Sequence, residues 1–149
     1  MTFNSFDELK KYVISKSKTA ISLAQEQVFQ IINRFVKEYY AEFSPEMYER
    51  TYQFYRSLVK TDVMPTNNGW VAEVYFDISA LDYHMKRING VEVPNKGWSE
   101  MKTLESAMAG FHGGYAEGEP IWEHSVAILS QEAYHILKRM LIASGIPIK

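Results

Sequence analysis

The longest regular pattern in the chain is helical and occupies its amino-terminal part. Apolar residues recur mostly three or four positions apart from Leu9 to Tyr39, with no proline or glycine between them. This spacing predicts an amphipathic helix over residues 5–41. Ser5 and Glu8 have the spacing of a capping box, which places the helix start there. Because Ser15–Thr19 is polar, we expect the helix to bend or to project its first half toward a partner.

Residues 44–77 change from helical spacing to the pattern of strands. After an initial helical stretch, Leu58–Val63 and Trp70–Phe76 resemble two short strands. Between them, Pro65–Gly69 supplies turn residues, and Asn68-Gly69 is the pair that best tolerates positive φ. The sequence therefore predicts a helix followed by a β-hairpin.

Residues 78–119 carry weaker signals, and we expect mostly irregular structure there. Asn89-Gly90 is typical of a tight hairpin or a loop edge. Ser99–Ala109 has the cap and spacing of a short helix. The glycines that follow interrupt regular structure: Gly110, Gly113, Gly114 and Gly118. A loop of this length is usually functional or mobile, so we expect it to become ordered on assembly.

The last strong pattern predicts a helix over residues 120–144. It begins at Pro120, and Lys138 and Arg139 near its end suit the negative pole of the helix dipole. Gly145 is placed as a C-cap glycine. Its predominantly apolar stripe contains Ile121, Trp122, Ser125, Val126, Ile128, Leu129, Ala133, Ile136, Leu137, Met140 and Leu141.

The order of elements predicts one α+β domain over residues 1–149. We expect a long N-terminal helix and a C-terminal helix packed on a small antiparallel β-sheet, with a long irregular loop. At 149 residues the chain can bury a substantial core.

Composition narrows the possible functions. The formal net charge of −2 argues against a large nonspecific nucleic-acid footprint. The absence of cysteine excludes disulfides, thiol catalysis and thiolate metal sites, and it fits synthesis in a reducing cytoplasm. We predict no membrane span and no cleaved signal, because the chain lacks the long apolar run that each requires.

The segment from Ser44 to Leu58 concentrates aromatic rings and arginines. Ser44 and Pro45 form a helix start signal. The simpler interpretation is a helix whose tyrosines half-bury on the sheet. The alternative is a contact with another subunit, since interface cores favour Tyr and Arg. We expect the Tyr48/Tyr52/Tyr55 face to be buried and the Arg50/Phe54 face to meet a neighbour. The predicted interface residues are Tyr48, Arg50, Tyr52, Phe54, Arg56, Trp98 and Trp122.

The histidines offer only weak candidates for chemistry, so we predict no enzyme, no cofactor and no metal site. Glu132 and His135 share a helix face, but a carboxylate-bridged metal centre needs a second such pair and two further carboxylates. His112 lies in a glycine-rich stretch without the phosphate-loop pattern. Ser57 and Ser125 lack a nucleophile-elbow motif.

Lysines crowd the first predicted helix. Lys10, Lys11, Lys16 and Lys18 form either a solvated face or a contact with an acidic neighbour or passing nucleic acid. Asp7 and Glu8 offset part of this charge.

Taken together, these features resemble the small neck or tail-completion proteins of long-tailed bacteriophages, the minor head-tail joining group. The resemblance covers nearly the whole chain and rests on a long first helix, a proline-led segment, a strand pair, a glycine-bearing loop and a closing helix. The residues concerned are Tyr39-Tyr40, Ser44-Pro45, Tyr48–Leu58, Tyr75-Phe76-Asp77, Gly118-Glu119-Pro120, Ile121-Trp122 and Gly145–Ile148.

The resemblance implies a virion structural protein without chemistry. Such a subunit would form a hexameric or dodecameric ring at the neck, contacting other connector and tail proteins. DNA would pass through the lumen without specific binding. Within this class an adaptor, stopper or tail-terminator subunit is the alternative, and a small cytosolic enzyme using His112 or His124 is the alternative of another class.

Overall fold

Four α-helices and six short strands make up the part of the chain that the structure describes. The computed structural model describes residues 2–42, 44, 52–82, 84–97, 99–111, 118 and 120–148. In chain order the elements are α1 (Phe6–Glu42), α2 (Gln53–Ser57), β1 (Leu58–Lys60), β2 (Met64–Thr66), β3 (Gly69–Val71), β4 (Val74–Phe76), a 3-10 helix (Ile78–Ala80), β5 (Met85–Ile88), β6 (Val91–Pro94), α3 (Glu100–Met108) and α4 (Ile121–Ala143). The predicted α+β class is confirmed.

Helix α1 is continuous for 37 residues, and its start is capped much as predicted. The Glu8 N–H donates to Ser5 Oγ at 3.2 Å. The Glu8 carboxylate accepts from the backbone N–H of Asn4, one residue before the cap, at 2.9 Å. Both bonds satisfy donors near the helix start, where no intrahelical acceptor is available.

Helix α4 runs antiparallel to α1. The Phe35 and His124 rings lie 5.7 Å apart near the start of α4, whereas the Tyr12 hydroxyl donates to the Gly145 carbonyl, 2.9 Å away, at its end. The Trp70 indole N–H also donates to the Ile14 carbonyl at 2.9 Å. The first half of α1 is therefore held by two other elements, and its expected contact with a partner stays a prediction.

Gly145 ends α4 as predicted. Its φ is +95°, its N–H donates to the Ile142 carbonyl, and the Ile146 N–H donates to the Leu141 carbonyl. This pair of bonds is a Schellman motif. A Cβ at this position would also lie 3.1 Å from the Tyr12 hydroxyl oxygen, so both conformation and space favour glycine.

The predicted hairpin is present but divided by a bulge. Strand β1 pairs antiparallel with β4, and β2 with β3, as separate two-stranded ladders. Lys60 lies opposite Val74 and Met64 opposite Val71, so residues 61–63 on one strand face only residues 72–73 on the other. The extra residue is a β-bulge, which interrupts the ladder.

Gln25 of α1 binds both strands at this bulge. Its side-chain amide donates to the Thr61 carbonyl at 2.8 Å and to the Glu73 carbonyl at 2.9 Å. Gln25 is only 9% exposed. The Glu73 carbonyl also accepts from the Thr61 N–H at 3.0 Å, so Gln25 adds a second donor there and fixes the hairpin against α1.

The two hairpin turns use different backbone conformations. Asn67 and Asn68 connect β2 to β3, as the turn residues predicted. Neither they nor Gly69 has positive φ, so this turn does not use the tolerance of Asn68-Gly69 for positive φ. Asn89 and Gly90 connect β5 to β6 with φ of +50° and +80°, as a type I′ turn requires.

Residues 78–119 are more regular than predicted. They contain the 3-10 helix, the β5–β6 hairpin and α3. The Ser99 hydroxyl caps α3 by accepting from the Lys102 N–H at 3.3 Å, as its position suggested. Residues 112–117 and 119, where we expected an irregular loop, lie outside the described residues.

The core lies at the carboxyl-terminal end of α1, where helices and strands meet. Its buried members are Phe35, Val36, Phe54, Leu58, Leu81, Ala107 and Ile121. Among the described residues, no helix combines the length and the apolar character needed to cross a bilayer.

The contact at the bulge can be tested by Gln25→Leu. The substitution keeps side-chain bulk but removes both donated hydrogen bonds, leaving strand carbonyls without this donor. We expect the free energy of unfolding in urea to fall by about 1–3 kcal/mol. The control is Gln27→Leu, an exposed site on the same helix, where we expect a change within about 0.5 kcal/mol. Equal losses in the two variants would contradict the role of Gln25.

A second test uses the exposed ion pair of Glu26 with Lys60. The hydrogen bond from Lys60, and then that from Gln30, lower the pKa of the Glu26 carboxyl. The pair therefore stabilises the fold above the unfolded-state pKa of Glu, about 4.3, and this contribution disappears as pH falls through the lower folded-state pKa. Because solvent screens the pair, we expect a small acid-dependent loss of stability that Glu26→Gln removes.

The control for this test is Glu38→Gln. Glu38 Oε1 lies 3.8 Å from Arg34 Nε in an exposed ion pair on the same helix. The free energy of unfolding of this variant should fall between pH 7 and pH 3 by the same amount as that of the wild type. An acid dependence of stability in Glu26→Gln as large as that of the wild type would argue against the Lys60 contact.

Candidate functional site

A cluster of aromatic rings joins the end of α1 to α2 and the β1–β4 ladder. The Phe54 ring stacks on Phe76 with centroids 5.0 Å apart, and its centroid lies 6.4 Å from that of Tyr40. Tyr52 stacks on Tyr40 at 5.2 Å. We call this set the aromatic cluster; its members are Tyr39, Tyr40, Tyr52, Phe54, Tyr55 and Phe76.

The outer edge of the aromatic cluster forms a shallow depression of about 260 Å³, lined by Lys37, Tyr40, Tyr52 and Tyr55. Tyr52 is 48% exposed and has a φ of +56°, a conformation that bulky residues seldom adopt and that tends to occur at functional sites. A ring held in this conformation at a surface depression is a candidate contact for a partner.

The structure corrects the predicted role of Phe54. We expected this ring to face a neighbour, but it is 2% exposed and belongs to the core. The helix around it spans only Gln53–Ser57, with Tyr52 in a left-handed conformation before it. Tyr52 and Phe54 therefore do not occupy two faces of one helix. The predicted division is wrong for both residues, since Phe54 is buried and Tyr52, which we expected to be buried, is 48% exposed.

The other predicted interface residues fall into two groups. Arg56 and Trp122 are exposed, Trp122 by 60%. Tyr48, Arg50 and Trp98 lie outside the described residues, as does the predicted helix start at Pro45. The interface role of Arg56, Tyr52 and Trp122 remains a prediction.

Helix α4 exposes an apolar stripe, of which we predicted only Trp122 as part of an interface. Its residues recur at spacings of four, seven and four, so they share one face of the helix over about 22 Å. All four are exposed. The α4 stripe consists of Trp122, Val126, Ala133 and Leu137. The sequence pattern did not distinguish these exposed residues from the buried positions of the same helix, such as Ile121, Ser125 and Ile136.

The histidine predicted for an enzymatic alternative lies in a packed environment. His124 is half-buried beside Phe35. Its predicted companion, His112, lies outside the described residues. The neighbouring Ser125 is 2% exposed, and its hydroxyl has no hydrogen-bond partner among the described residues. A hydroxyl this deeply buried is not accessible to a substrate.

Asp82, His84 and Glu100 form a polar group that we did not identify from the sequence. One potential ligand atom from each residue lies within 4.8 Å of the other two, and His84 Nε2 is 3.5 Å from a Glu100 oxygen. In the sequence, only the spacing of Asp82 and His84 indicated this group. Glu100 is distant in sequence and comes close to them because the β5–β6 hairpin brings the chain back.

The unpartnered Ser125 hydroxyl predicts a gain of stability in Ser125→Ala. Removing a buried polar group without a partner should raise the free energy of unfolding by about 1 kcal/mol. Ser57 is the matched control, because it is also buried but its hydroxyl donates to the Phe54 carbonyl at 2.8 Å. Ser57→Ala should lower stability by a similar amount. A loss in Ser125→Ala would indicate that its hydroxyl has a partner.

Comparison with known proteins identifies one family. The sequence profile described as YomN matches residues 5–142, which include all the elements from α1 to nearly the end of α4. No curated protein and no solved structure matches the chain significantly.

Proposed function

The chain belongs to the YomN family, and on this premise we propose that it is a structural virion protein of a tailed bacteriophage, a neck or tail-completion subunit that joins the head connector to the tail. The family carries the name of a Bacillus phage-derived protein, which supports a phage-related protein. The position in the neck and the assembly into a ring are the proposal.

The observation that carries the assembly proposal is the exposure of large apolar side chains on ordered elements. Trp122 and Tyr52 present rings, and Val126 and Leu137 present aliphatic side chains, that a solvated monomer does not need. Tyr and Trp are also the residues that most often dominate binding energy at interfaces. A ring would use such surfaces in head-to-tail contacts between copies.

The proposed partners are further copies of this chain and the adjoining connector and tail proteins, with hexameric or dodecameric closure. The proposed location is the neck of the virion after synthesis in the host cytoplasm. An adaptor, stopper or tail-terminator subunit would use the same surfaces. The enzymatic alternative has less support, because His124 packs beside Phe35 instead of lining an open site.

Assembly can be tested with Tyr52→Asn and Trp122→Ala. Asn is chosen at position 52 because it tolerates positive φ better than most residues, so the ring is removed with little added backbone strain. We expect each variant to weaken self-association or incorporation into tail particles by about 1–2 kcal/mol or more, as measured by sedimentation and by pull-down of particles.

The matched control is Tyr75→Ala, because Tyr75 is a similarly exposed aromatic residue on β4 outside the predicted set. This variant should assemble normally. A wild-type chain that stays monomeric and never joins a connector or tail particle would overturn the proposal. Loss of thermal stability equal to the loss of assembly in the first two variants would show that those rings serve folding.

A further inference from the structure

We propose that Asp82, His84 and Glu100 bind a divalent transition-metal cation of the zinc class. Their ligand atoms lie within 4.8 Å of one another. The 3.5 Å between His84 Nε2 and the Glu100 carboxylate is close to the separation of about 3.4 Å expected between two ligands that lie 2.0–2.2 Å from a tetrahedral zinc ion. Asp82 and His84 are exposed, so small side-chain rotations complete the geometry.

The main chain holds these residues in position without a cation. The Asp82 N–H donates to Gln53 Oε1 at 2.8 Å, which ties this residue to α2. The His84 N–H donates to Asp82 Oδ1 at 3.2 Å, which leaves the other carboxylate oxygen available to a ligand. The Asn95 N–H donates to the His84 carbonyl at 2.8 Å and closes the base of the β5–β6 hairpin.

Glu100 enters the group from the start of α3. The Ser99 cap fixes this turn of helix, and the Lys102 ammonium donates to the Gly97 carbonyl at 2.6 Å. The nearby lysine charge is therefore engaged with another acceptor. Asp82 and His84 precede the β5–β6 hairpin and Glu100 follows it, so a bound cation would cross-link the base of the hairpin to α3.

The donor set decides the class of cation. One imidazole and two carboxylates suit zinc, cobalt or manganese better than the all-oxygen sites preferred by calcium and magnesium. Three protein ligands leave at least one coordination position for water or for a side chain of a partner. The proposal does not depend on the proposed neck function, since binding is measurable on the isolated chain.

The test uses the full chain after treatment with a chelator. Co²⁺ is titrated by visible absorption, Zn²⁺ by competition against bound Co²⁺, and thermal unfolding is measured with and without metal. We expect one equivalent of cation to bind and to raise the melting temperature. Asp82→Asn, His84→Ala and Glu100→Gln should each weaken binding by about tenfold or more. Because the Asp82 and His84 side chains are exposed, at least those variants should fold normally.

The matched control is the double variant Glu132→Gln/His135→Ala, which removes a Glu and a His three residues apart on exposed positions of α4. Its binding should equal that of the wild type. Loss of binding in this control, unchanged binding in the three ligand variants, or absence of a one-to-one complex in the wild type would each overturn the proposal.

Discussion

The hydrogen bonds from Gln25 to the bulged hairpin are the contact on which much of this fold depends. A bulge leaves strand carbonyls outside the ladder, and buried carbonyls without donors are costly. Gln25 supplies the donors from the middle of α1 and bonds both strands at once. The hairpin is consequently fixed in position along the helix, with Trp70 toward the amino-terminal half of α1 and Phe76 at the core.

Around this contact, α1 acts as a scaffold along which other elements are aligned. Helix α4 lies antiparallel to it, and the Tyr12 hydroxyl bonds the Gly145 carbonyl just after α4 ends. At the opposite end, Phe35 and Val36 join residues from α2, β1, α3 and α4 in the core. The aromatic cluster extends this core outward, so its inner ring, Phe54, stabilises the fold while its outer ring, Tyr52, remains at the surface.

The proposed assembly surfaces are continuous with the packing that holds the chain together. Trp122 follows directly after the buried Ile121, and the α4 stripe shares its helix with core residues. A partner that covered Trp122 would bind a helix already packed against the core, which limits the entropy lost on association. This arrangement supports the proposal that a phage-related chain of the YomN family works by assembly.

The sequence by itself determined the features that depend on neighbouring residues. The caps at Ser5 and Ser99, the glycine that ends α4, the long helices and the α+β class follow from signals within a few positions of each element. Only the tertiary structure decided what depends on distant residues meeting. The burial of Phe54, the pairing of Gln25 with a bulge and the approach of Glu100 to Asp82 and His84 all require the chain to return to itself. Local patterns carry no information about contacts between distant residues. The same spacing of aromatic or polar residues occurs in a core, on a surface or at a site, depending on what packs against it.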